Sequence, residues 1–298
     1  MTLRKNNLNY FIGISWFILS LFVCIGNDSI MKLLGDEYQT SQIVFLRYLF
    51  ATLFMIPCMV LRGGRQSFYT NHLAMHIFRA ILLSAGIAMY CFSLSRLPLS
   101  TVITVNFTIP IFTLLFAFIF LKEKITRAKI VATIAGFVGI LITAEPTRTG
   151  FASYVIIILV TSSMMFAALD VINKKFVIRE GILTMLFYTA IATLLFSTIP
   201  AAISWKPVGQ ADFGLFVLLG IGADLLLYCI LKAFEKVDIS TIAPFRYVEF
   251  LLSVIIGLVL FDESPTLSTI IGVCVIIPST LYITLAETKA DHSPSSCC

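Results

Sequence analysis

The chain is divided into ten apolar segments, each about as long as a helix that crosses a lipid bilayer. The hydrocarbon core of a bilayer is about 30 Å thick, and a helix needs about 20 mostly apolar residues to cross it. Only 12% of the 298 residues are charged, which is too few to cover a water-soluble domain of this size. We therefore predict an all-α membrane protein with ten transmembrane helices. The predicted segments are 9–34, 41–62, 73–95, 99–122, 126–144, 152–176, 182–204, 211–235, 239–262 and 266–286.

The lysines and arginines between these segments predict that both termini lie in the cytoplasm. With the N-terminus inside, the inner loops and ends carry 14 basic residues, whereas the outer side carries four. Cytoplasmic loops of membrane proteins carry such an excess of positive charge. The net charge of +5 is therefore a signal of topology, with the lipid bilayer as the partner, and it does not indicate a nucleic-acid partner.

Several classes of protein are disfavoured by the loops and by the residue types. The loops are too short to hold a soluble domain, and no cleavable signal sequence begins the chain. A membrane enzyme would need paired metal ligands at the membrane face, which His72, His76 and His292 do not supply. We interpret His72 and His76 as solvated, and we expect no metal, no cofactor and no disulfide. The sequence also has no ATP-binding loop.

The two halves of the chain repeat each other. Asp28 and Asp170 each precede a lysine by four residues at the end of the first segment of their half, and Glu123 and Glu263 both follow the fourth segment. An odd number of segments in each repeat inverts the second repeat relative to the first, and inverted repeats are typical of secondary transporters. We predict one five-helix repeat in 1–150, a second in 151–286 and a polar cytoplasmic tail in 287–298.

Ionisable residues within membrane segments are costly and therefore mark candidate functional sites. For two aspartates a local explanation is available, because each could pair with the lysine four residues further on, as in Asp170 with Lys174. Two arginines lie about two turns from a segment end and could reach the interface. The seven residues are Asp28, Arg47, Arg79, Asp170, Asp224, Arg246 and Glu249.

Three of these residues predict a binding site. Asp224 lies near the centre of its segment with no basic neighbour, so it faces a cavity, is protonated or pairs with Arg79 or Arg246. Arg246 and Glu249 share one helical face and could pair with each other. Alternatively, the guanidinium would bind a carboxylate and the glutamate would bind an amine, as in an α-amino acid.

Further residues complete the predicted site. Aromatic side chains near segment centres could stack on a flat ring or surround a cation. Asn106 aligns with Arg246 when the two repeats are registered on their glutamates. We also expect Pro110, in the middle of its segment, and Pro244, early in its segment, to kink their helices. The aromatic candidates are Trp16, Tyr90, Phe92, Phe107 and Tyr247.

Glycines within the segments suit close packing between helices. The predicted packing positions are Gly136, Gly139, Gly220 and Gly222.

Several sequence strings resemble a known family. The pattern of two five-segment repeats, each with a glutamate after its fourth segment, resembles the EamA type of the drug/metabolite transporter superfamily. The strings Asn27-Asp28, 169–178, 243–249 and 276–278 are similar to those of the S-adenosylmethionine uptake transporters of obligate intracellular bacteria.

The resemblance implies import of S-adenosylmethionine across the bacterial inner membrane, in exchange for S-adenosylhomocysteine. It implies that Arg246 holds the substrate carboxylate, that Glu249 and Asp224 face the amine or the sulfonium, and that aromatic residues stack on adenine. Arg79 belongs to the same predicted substrate-binding set. Two alternatives stay open: an EamA-type exporter of amino acids or other metabolites, and a membrane protein that does not transport.

Overall fold

The computed structural model is a bundle of helices, and none of the residues that it describes forms a β-strand. The described residues are 2–35, 37–94, 96, 105–144, 153–252, 255, 267, 270–272, 274–278 and 282. The all-α prediction is confirmed over these residues. The polar tail predicted for 287–298 lies outside them, as does Glu263.

The helices follow the predicted apolar segments closely in the first three-quarters of the chain. Their bounds are α1 Thr2–Gly35, α2 Thr40–Cys58, α3 Leu73–Leu94, α4 Ile109–Phe116, α5 Arg127–Ala144, α6 Ser153–Phe176, α7 Ile182–Ile203, α8 Gln210–Lys236 and α9 Ile239–Ile242. Short π-helical stretches extend two of them, at Met59–Gly63 after α2 and at Ala117–Leu121 after α4. Short 3-10 stretches occupy Arg65–Phe68 and Ala243–Tyr247.

Within the described residues, six helices are long and apolar enough to cross a membrane. They contain Leu8–Gly35, Thr40–Arg62, Leu73–Tyr90, Tyr154–Phe176, Ile182–Ile203 and Gln210–Lys236. These six match six predicted segments. Of the other four, 126–144 corresponds to α5, and 99–122 is described only from residue 105, with a short apolar helix at Ile109–Leu121. Segment 239–262 is described mainly over 239–252, where Ala243–Tyr247 interrupts the α-helix, and 266–286 is described only in part, so the number ten stays a prediction.

Both prolines lie where a helix is interrupted, whereas the sequence predicted a kink within each helix. Pro110 occupies the first turn of α4, directly after a turn at 107–108. Pro244 lies in the 3-10 stretch between α9 and a helical segment at 248–252. Because proline lacks a backbone N–H and clashes with the preceding turn, a continuous α-helix is disfavoured at both places.

The helices of the two halves pack against each other in a reciprocal pattern. Helix α1 packs on α8 and α3 packs on α6, while α2 packs on both α7 and α8, and α3 also packs on α7. If α1, α2 and α3 are exchanged with α6, α7 and α8, the set of pairs is unchanged: α2 with α7 maps onto itself, and the other four pairs map onto one another. The largest buried core lies where both halves meet and includes Phe17 of α1 and Phe234 of α8.

Charged side chains join the halves at the end of the bundle that carries Lys129, Lys174 and Lys236, which we call the basic end. The Glu123 carboxylate accepts the backbone N–H groups of Ile239 at 3.1 Å and Ser240 at 2.9 Å, so it caps the start of α9. Lys129 Nζ donates to Ser240 Oγ at 2.9 Å. These contacts all connect the first half to the second.

A second group of contacts joins the halves at the opposite end. Tyr38 Oη donates to Asp212 Oδ2 at 2.7 Å and accepts the Gly209 N–H at 3.0 Å. Gln42 Nε2 donates to the Lys206 carbonyl at 2.6 Å, and Gln42 Oε1 accepts the Lys206 N–H at 2.9 Å. Between the two ends lie the charged residues singled out from the sequence, except Arg79, which contacts Asn173 at the basic end.

Candidate functional site

Two carboxylates converge on one thiol between α1 and the segment that follows Pro244. Cys24 Sγ lies 3.4 Å from Glu249 Oε1 and 3.9 Å from Asp28 Oδ2. Among the described residues, these three are the group whose ligand atoms lie close enough together, within 4.8 Å, to hold a metal ion. Two neighbouring carboxylates repel each other unless a positive charge lies between them. The arrangement is therefore suited to a cationic group.

Asp28 keeps a large accessible surface although it lies about two turns inside α1. Cys24 and Glu249 are half-buried.

Arg47 of α2 places a guanidinium beside these acids. Its backbone carbonyl oxygen would lie 2.9 Å from a Cβ atom at Gly220, about one turn before Asp224 on α8. Its Nη1 atom contacts the sulfur of Met31 at 3.4 Å, and its buried Nε atom has no hydrogen-bond partner. A thioether is a weak acceptor, and a guanidinium offers five N–H donors. Arg47 therefore has unused hydrogen-bonding capacity within the bundle.

Asp224 of α8 is also incompletely paired. The residue is only 5% exposed, and its buried Oδ2 atom has no hydrogen-bond partner. The sequence alternatives of an Asp224 pair with Arg79 or Arg246 are wrong, because those two arginines are engaged by Asn173 and Asp170. An unsatisfied buried carboxylate oxygen is costly, which makes Asp224 a candidate for contact with a polar solute.

Two glycines fix the position of α8 beside these charges. A Cβ atom at Gly220 would lie 2.5 Å from the Phe50 Cβ and 2.9 Å from the Arg47 carbonyl oxygen. A Cβ atom at Gly222 would lie 2.2 Å from Asn27 Oδ1. Helix α8 therefore approaches the backbone of α2 at Arg47 and the side chain before Asp28 on α1. The predicted packing role of both glycines is confirmed.

Arg246 lies closer to the basic end and is already paired. Its Nη2 atom donates to Asp170 Oδ2 of α6 in an ion pair whose side chains are 20% and 12% exposed. Phe17, Thr113 and Phe234 surround this pair. Arg246 therefore pairs with Asp170 of another helix, and not with Glu249 as the shared helical face suggested.

The local pairing suggested for Asp170 is also wrong. Lys174 Nζ instead donates to the backbone carbonyls of Phe234 at 2.5 Å and Val237 at 2.7 Å, at the end of α8. An ammonium group near a helix C-terminus is favourable because the last carbonyls are unpaired and carry partial negative charge.

Tyr247 is fully buried in packing. Its hydroxyl donates to the Thr133 carbonyl at 3.0 Å, and a Cβ atom at Gly136 would lie 2.2 Å from its ring. Gly139 similarly approaches Ile276, so the packing roles of both glycines of α5 are confirmed. The Tyr247 ring faces α5.

The other predicted aromatic residues lie in different parts of the bundle. Phe107 packs against Tyr247 and Phe250, with ring centroids 5.9 and 6.2 Å apart. Trp16 makes an edge contact with Tyr228 of α8 at 5.8 Å. Tyr90 packs beside Val155 and Leu159 of α6.

The remaining two side chains differ in burial. Phe92 is exposed, with Arg96 3.7 Å from its ring centroid. Asn106 is half-buried, and its Oδ1 atom lacks a hydrogen-bond partner.

Arg79 lies in a separate polar cluster at the basic end. It is 1% exposed, its Nε atom donates to Asn173 Oδ1 at 2.7 Å, and its Nη1 atom lies 3.2 Å from His76 Nδ1. His76 is also 1% exposed, stacks on Tyr188 and lies 3.8 Å from Glu180. The interpretation of His76 as solvated is wrong, because α6 and α7 cover the start of α3.

The structure adds residues that the predicted binding set lacked. Asp28, Arg47 and Asp170 were recognised from the sequence as charges inside membrane segments but were not placed in the predicted binding set. Their charge alone was a signal that could have placed them there. Cys24 had no such signal, since an isolated cysteine in an apolar segment looks like an ordinary packing residue.

Comparison with known proteins places this arrangement in a family. The model of the EamA-like transporter family matches the chain twice, over residues 11–144 and 153–285. The chain belongs to the EamA-like transporter family. It is therefore a multi-pass membrane protein and a transporter, which confirms the predicted function class and disfavours an enzyme.

Individual relatives agree with the assignment. The chain is 39% identical over 281 residues to the S-adenosylmethionine uptake transporter of Rickettsia bellii (strain RML369-C), covering 94% of this chain and 96% of the relative. It is 27% identical over 252 residues to a riboflavin transporter of Vibrio cholerae, covering 84% of each. A solved crystal structure matches with a TM-score of 0.79 at 16% identity, covering 95% of this chain and 98% of that chain, which shows the fold alone.

Proposed function

We propose that this protein imports S-adenosylmethionine across the bacterial inner membrane in exchange for S-adenosylhomocysteine. The observation that carries the proposal is the 39% identity, over almost the full length of both chains, to the S-adenosylmethionine uptake transporter of Rickettsia bellii. The riboflavin transporter of Vibrio cholerae is more distant, at 27% identity.

The chemistry of the central residues supports this substrate. S-adenosylmethionine carries a carboxylate, an amine and a sulfonium, and its net charge is positive. Acidic residues outnumber basic ones in the central part of the bundle. The four acids are Asp28, Asp170, Asp224 and Glu249, and the two arginines are Arg47 and Arg246. Glu249 and Asp224 are the proposed partners of the positive groups, and Arg246 and Arg47 are the two candidate partners of the carboxylate.

The proposed architecture is ten transmembrane helices in two inverted five-helix repeats, 1–150 and 151–286, with both termini in the cytoplasm. The two separate family matches and the reciprocal packing of α1–α3 with α6–α8 support it. Inverted repeats can move about one central site and expose it to each side in turn. A carrier that returns loaded with S-adenosylhomocysteine would then complete each cycle without crossing empty.

Uptake into proteoliposomes tests the function directly. Vesicles containing the purified protein, preloaded with S-adenosylhomocysteine, should take up labelled S-adenosylmethionine faster than vesicles without an internal load. External S-adenosylhomocysteine should compete, whereas methionine and adenosine should compete poorly, because each fragment keeps only part of the contacts. Every tenfold loss of affinity corresponds to about 1.4 kcal/mol.

The same vesicles distinguish the second candidate, an exporter of amino acids or other metabolites. Transport of riboflavin or of aromatic amino acids without transport of S-adenosylmethionine would refute the proposed substrate and leave the fold and family assignment unchanged. Protein-free vesicles give the background for each solute.

A further inference from the structure

We propose that Arg47 binds the carboxylate of the transported solute and that Asp28 and Glu249 together bind its sulfonium. This inference rests on the proposed function and assigns the roles within its site. It moves the carboxylate-binding role from Arg246, which the sequence favoured, to an arginine on a different helix.

The first step compares the two guanidinium groups. Arg246 donates to the Asp170 carboxylate, so its charge is already compensated within the protein, and 20% of its side chain stays exposed. Arg47 has a buried Nε atom without a hydrogen-bond partner and contacts the weakly accepting sulfur of Met31. A carboxylate can accept two parallel hydrogen bonds from a guanidinium, and Arg47 is the residue with donors available for it.

The second step concerns polar groups around Arg47 that also lack partners. Asn27 of α1 is 3% exposed and Asp224 of α8 is 5% exposed, and the Asn27 Nδ2 and Asp224 Oδ2 atoms are buried without hydrogen bonds. Close approaches at Gly220 and Gly222 bring α8 against Arg47 and Asn27. Buried polar atoms are almost always hydrogen-bonded in folded proteins. Unsatisfied groups on three adjoining helices therefore indicate that a polar ligand completes them.

The third step separates the two positive centres of the substrate. The amine is attached to the same carbon as the carboxylate, so an amine bound with its carboxylate at Arg47 lies within reach of Asp224. The sulfonium lies two methylene groups further along the molecule. The Asp28 and Glu249 carboxylates, which converge on Cys24 Sγ at 3.9 and 3.4 Å, form a second negative centre for it.

The two carboxylates also come from different halves of the chain. Asp28 belongs to α1, and Glu249 belongs to the helical segment after Pro244. A sulfonium between them offsets their mutual repulsion and so draws the halves together. The thioether of S-adenosylhomocysteine is neutral and cannot do this. Binding of S-adenosylmethionine should therefore depend more strongly on these two acids than binding of S-adenosylhomocysteine does.

The experiment measures how tightly the wild-type and variant proteins, purified in detergent, bind three ligands. These are S-adenosylmethionine, S-adenosylhomocysteine and decarboxylated S-adenosylmethionine, which lacks the carboxylate. Arg47→Gln should weaken binding of S-adenosylmethionine by about 30-fold, as expected for a lost charge-assisted hydrogen bond, and should leave binding of the decarboxylated ligand nearly unchanged. Arg47→Lys should retain part of the affinity, because it keeps the charge but loses the planar fork.

Arg246→Gln is the matched arginine variant. It should change the affinity for S-adenosylmethionine and the affinity for its decarboxylated form by the same factor. Asp28→Asn and Glu249→Gln should each weaken the binding of S-adenosylmethionine by a factor about ten times larger than for S-adenosylhomocysteine. Thermal unfolding of every variant, recorded beside binding, separates loss of affinity from loss of folded protein.

The outcomes distinguish this inference from the proposed function. If wild-type protein does not bind S-adenosylmethionine, both are wrong. If wild-type protein binds it and Arg246→Gln, rather than Arg47→Gln, selectively loses affinity for the ligand that carries a carboxylate, the assignment to Arg47 is wrong and the transport function stands. Equal losses for S-adenosylmethionine and S-adenosylhomocysteine in the Asp28 and Glu249 variants would overturn the sulfonium assignment.

Discussion

Arg79 and Arg47 both lie inside the helical bundle, but their surroundings differ in hydrogen bonding. Arg79 is covered almost completely and donates to Asn173, beside His76 and Glu180. Arg47 keeps accessible surface, and its Nε atom and the nearby Asp224 Oδ2 atom have no partners. A buried charge that donates to side chains of the protein contributes to the fold, whereas one whose buried donor has no partner is available to a solute. Position within a membrane segment does not distinguish the two cases.

The strongest test of this comparison is Arg79→Gln. We expect it to destabilise the protein by about 3 kcal/mol, because it removes a charged hydrogen bond and leaves Asn173 Oδ1 without its donor. Affinity for S-adenosylmethionine in the remaining folded protein should stay at the wild-type level. Thermal unfolding in detergent and ligand binding measure the two quantities, and Arg62→Gln, at an exposed position, is the control. Lost affinity with normal stability would support the sequence prediction that Arg79 binds substrate.

The next largest effect is expected for Gly220→Ala. The added Cβ atom would meet the Phe50 Cβ at 2.5 Å and the Ala51 backbone nitrogen at 2.8 Å, so α8 must move away from α2. Overpacking of this kind costs about 2 kcal/mol, and it also shifts Asp224 relative to Arg47, so uptake should fall. Gly214→Ala on the same helix is a matched control, since nothing lies within 4 Å of its Cβ position. Equal effects of the two substitutions would argue against close packing as the cause.

Glu123→Gln should have a smaller effect, about 1.5 kcal/mol on stability. The substitution removes the charge that accepts the Ile239 and Ser240 N–H groups but keeps one amide oxygen as an acceptor. Thermal unfolding measures the loss, and Glu37→Gln at an exposed position provides the comparison. An unchanged midpoint would show that this contact contributes little to holding the halves together.

The smallest effect is expected for Tyr247→Phe, about 1 kcal/mol on stability with uptake retained. The ring remains against Gly136, and the hydrogen bond to the Thr133 carbonyl is lost. The exposed Tyr69 offers a control substitution of the same kind. A large loss of substrate affinity in Tyr247→Phe would instead support the predicted role of this tyrosine in binding.

Hydrophobic length predicted the helices well because a membrane requires every spanning segment to satisfy its own backbone. Side-chain partners were less predictable, because a sequence directly reveals only neighbours on the same helix. Asp170 has Lys174 four residues away, yet its partner is Arg246, which lies 76 positions further along the chain. His76 similarly looks solvated at the start of a segment, and Tyr188 of α7 buries it.

Part of the candidate site was named from the sequence. Asp224 was singled out by its depth in its segment and Glu249 by the helical face that it shares with Arg246, and their roles in binding stay predictions. Asp28 was given a local pair with Lys32, and Arg47 was expected to reach the interface. The contacts at Gly220 and Gly222 that bring them beside α8 depend on the packing of three helices, which no local pattern describes.

The cap formed by Glu123 has a consequence for biosynthesis. Its two N–H donors lie 116 and 117 positions later in the chain, and the Lys206 partner of Gln42 lies 164 positions later. At ribosomal rates of about 5–20 residues per second, the first half must wait roughly ten seconds in the membrane before these contacts can form. During that interval a carboxylate and an amide remain unpaired near opposite ends of the nascent bundle. A chain that stops before residue 206 lacks the partners of both side chains, so we expect such a truncated protein to leave two polar groups of its first half without these hydrogen bonds.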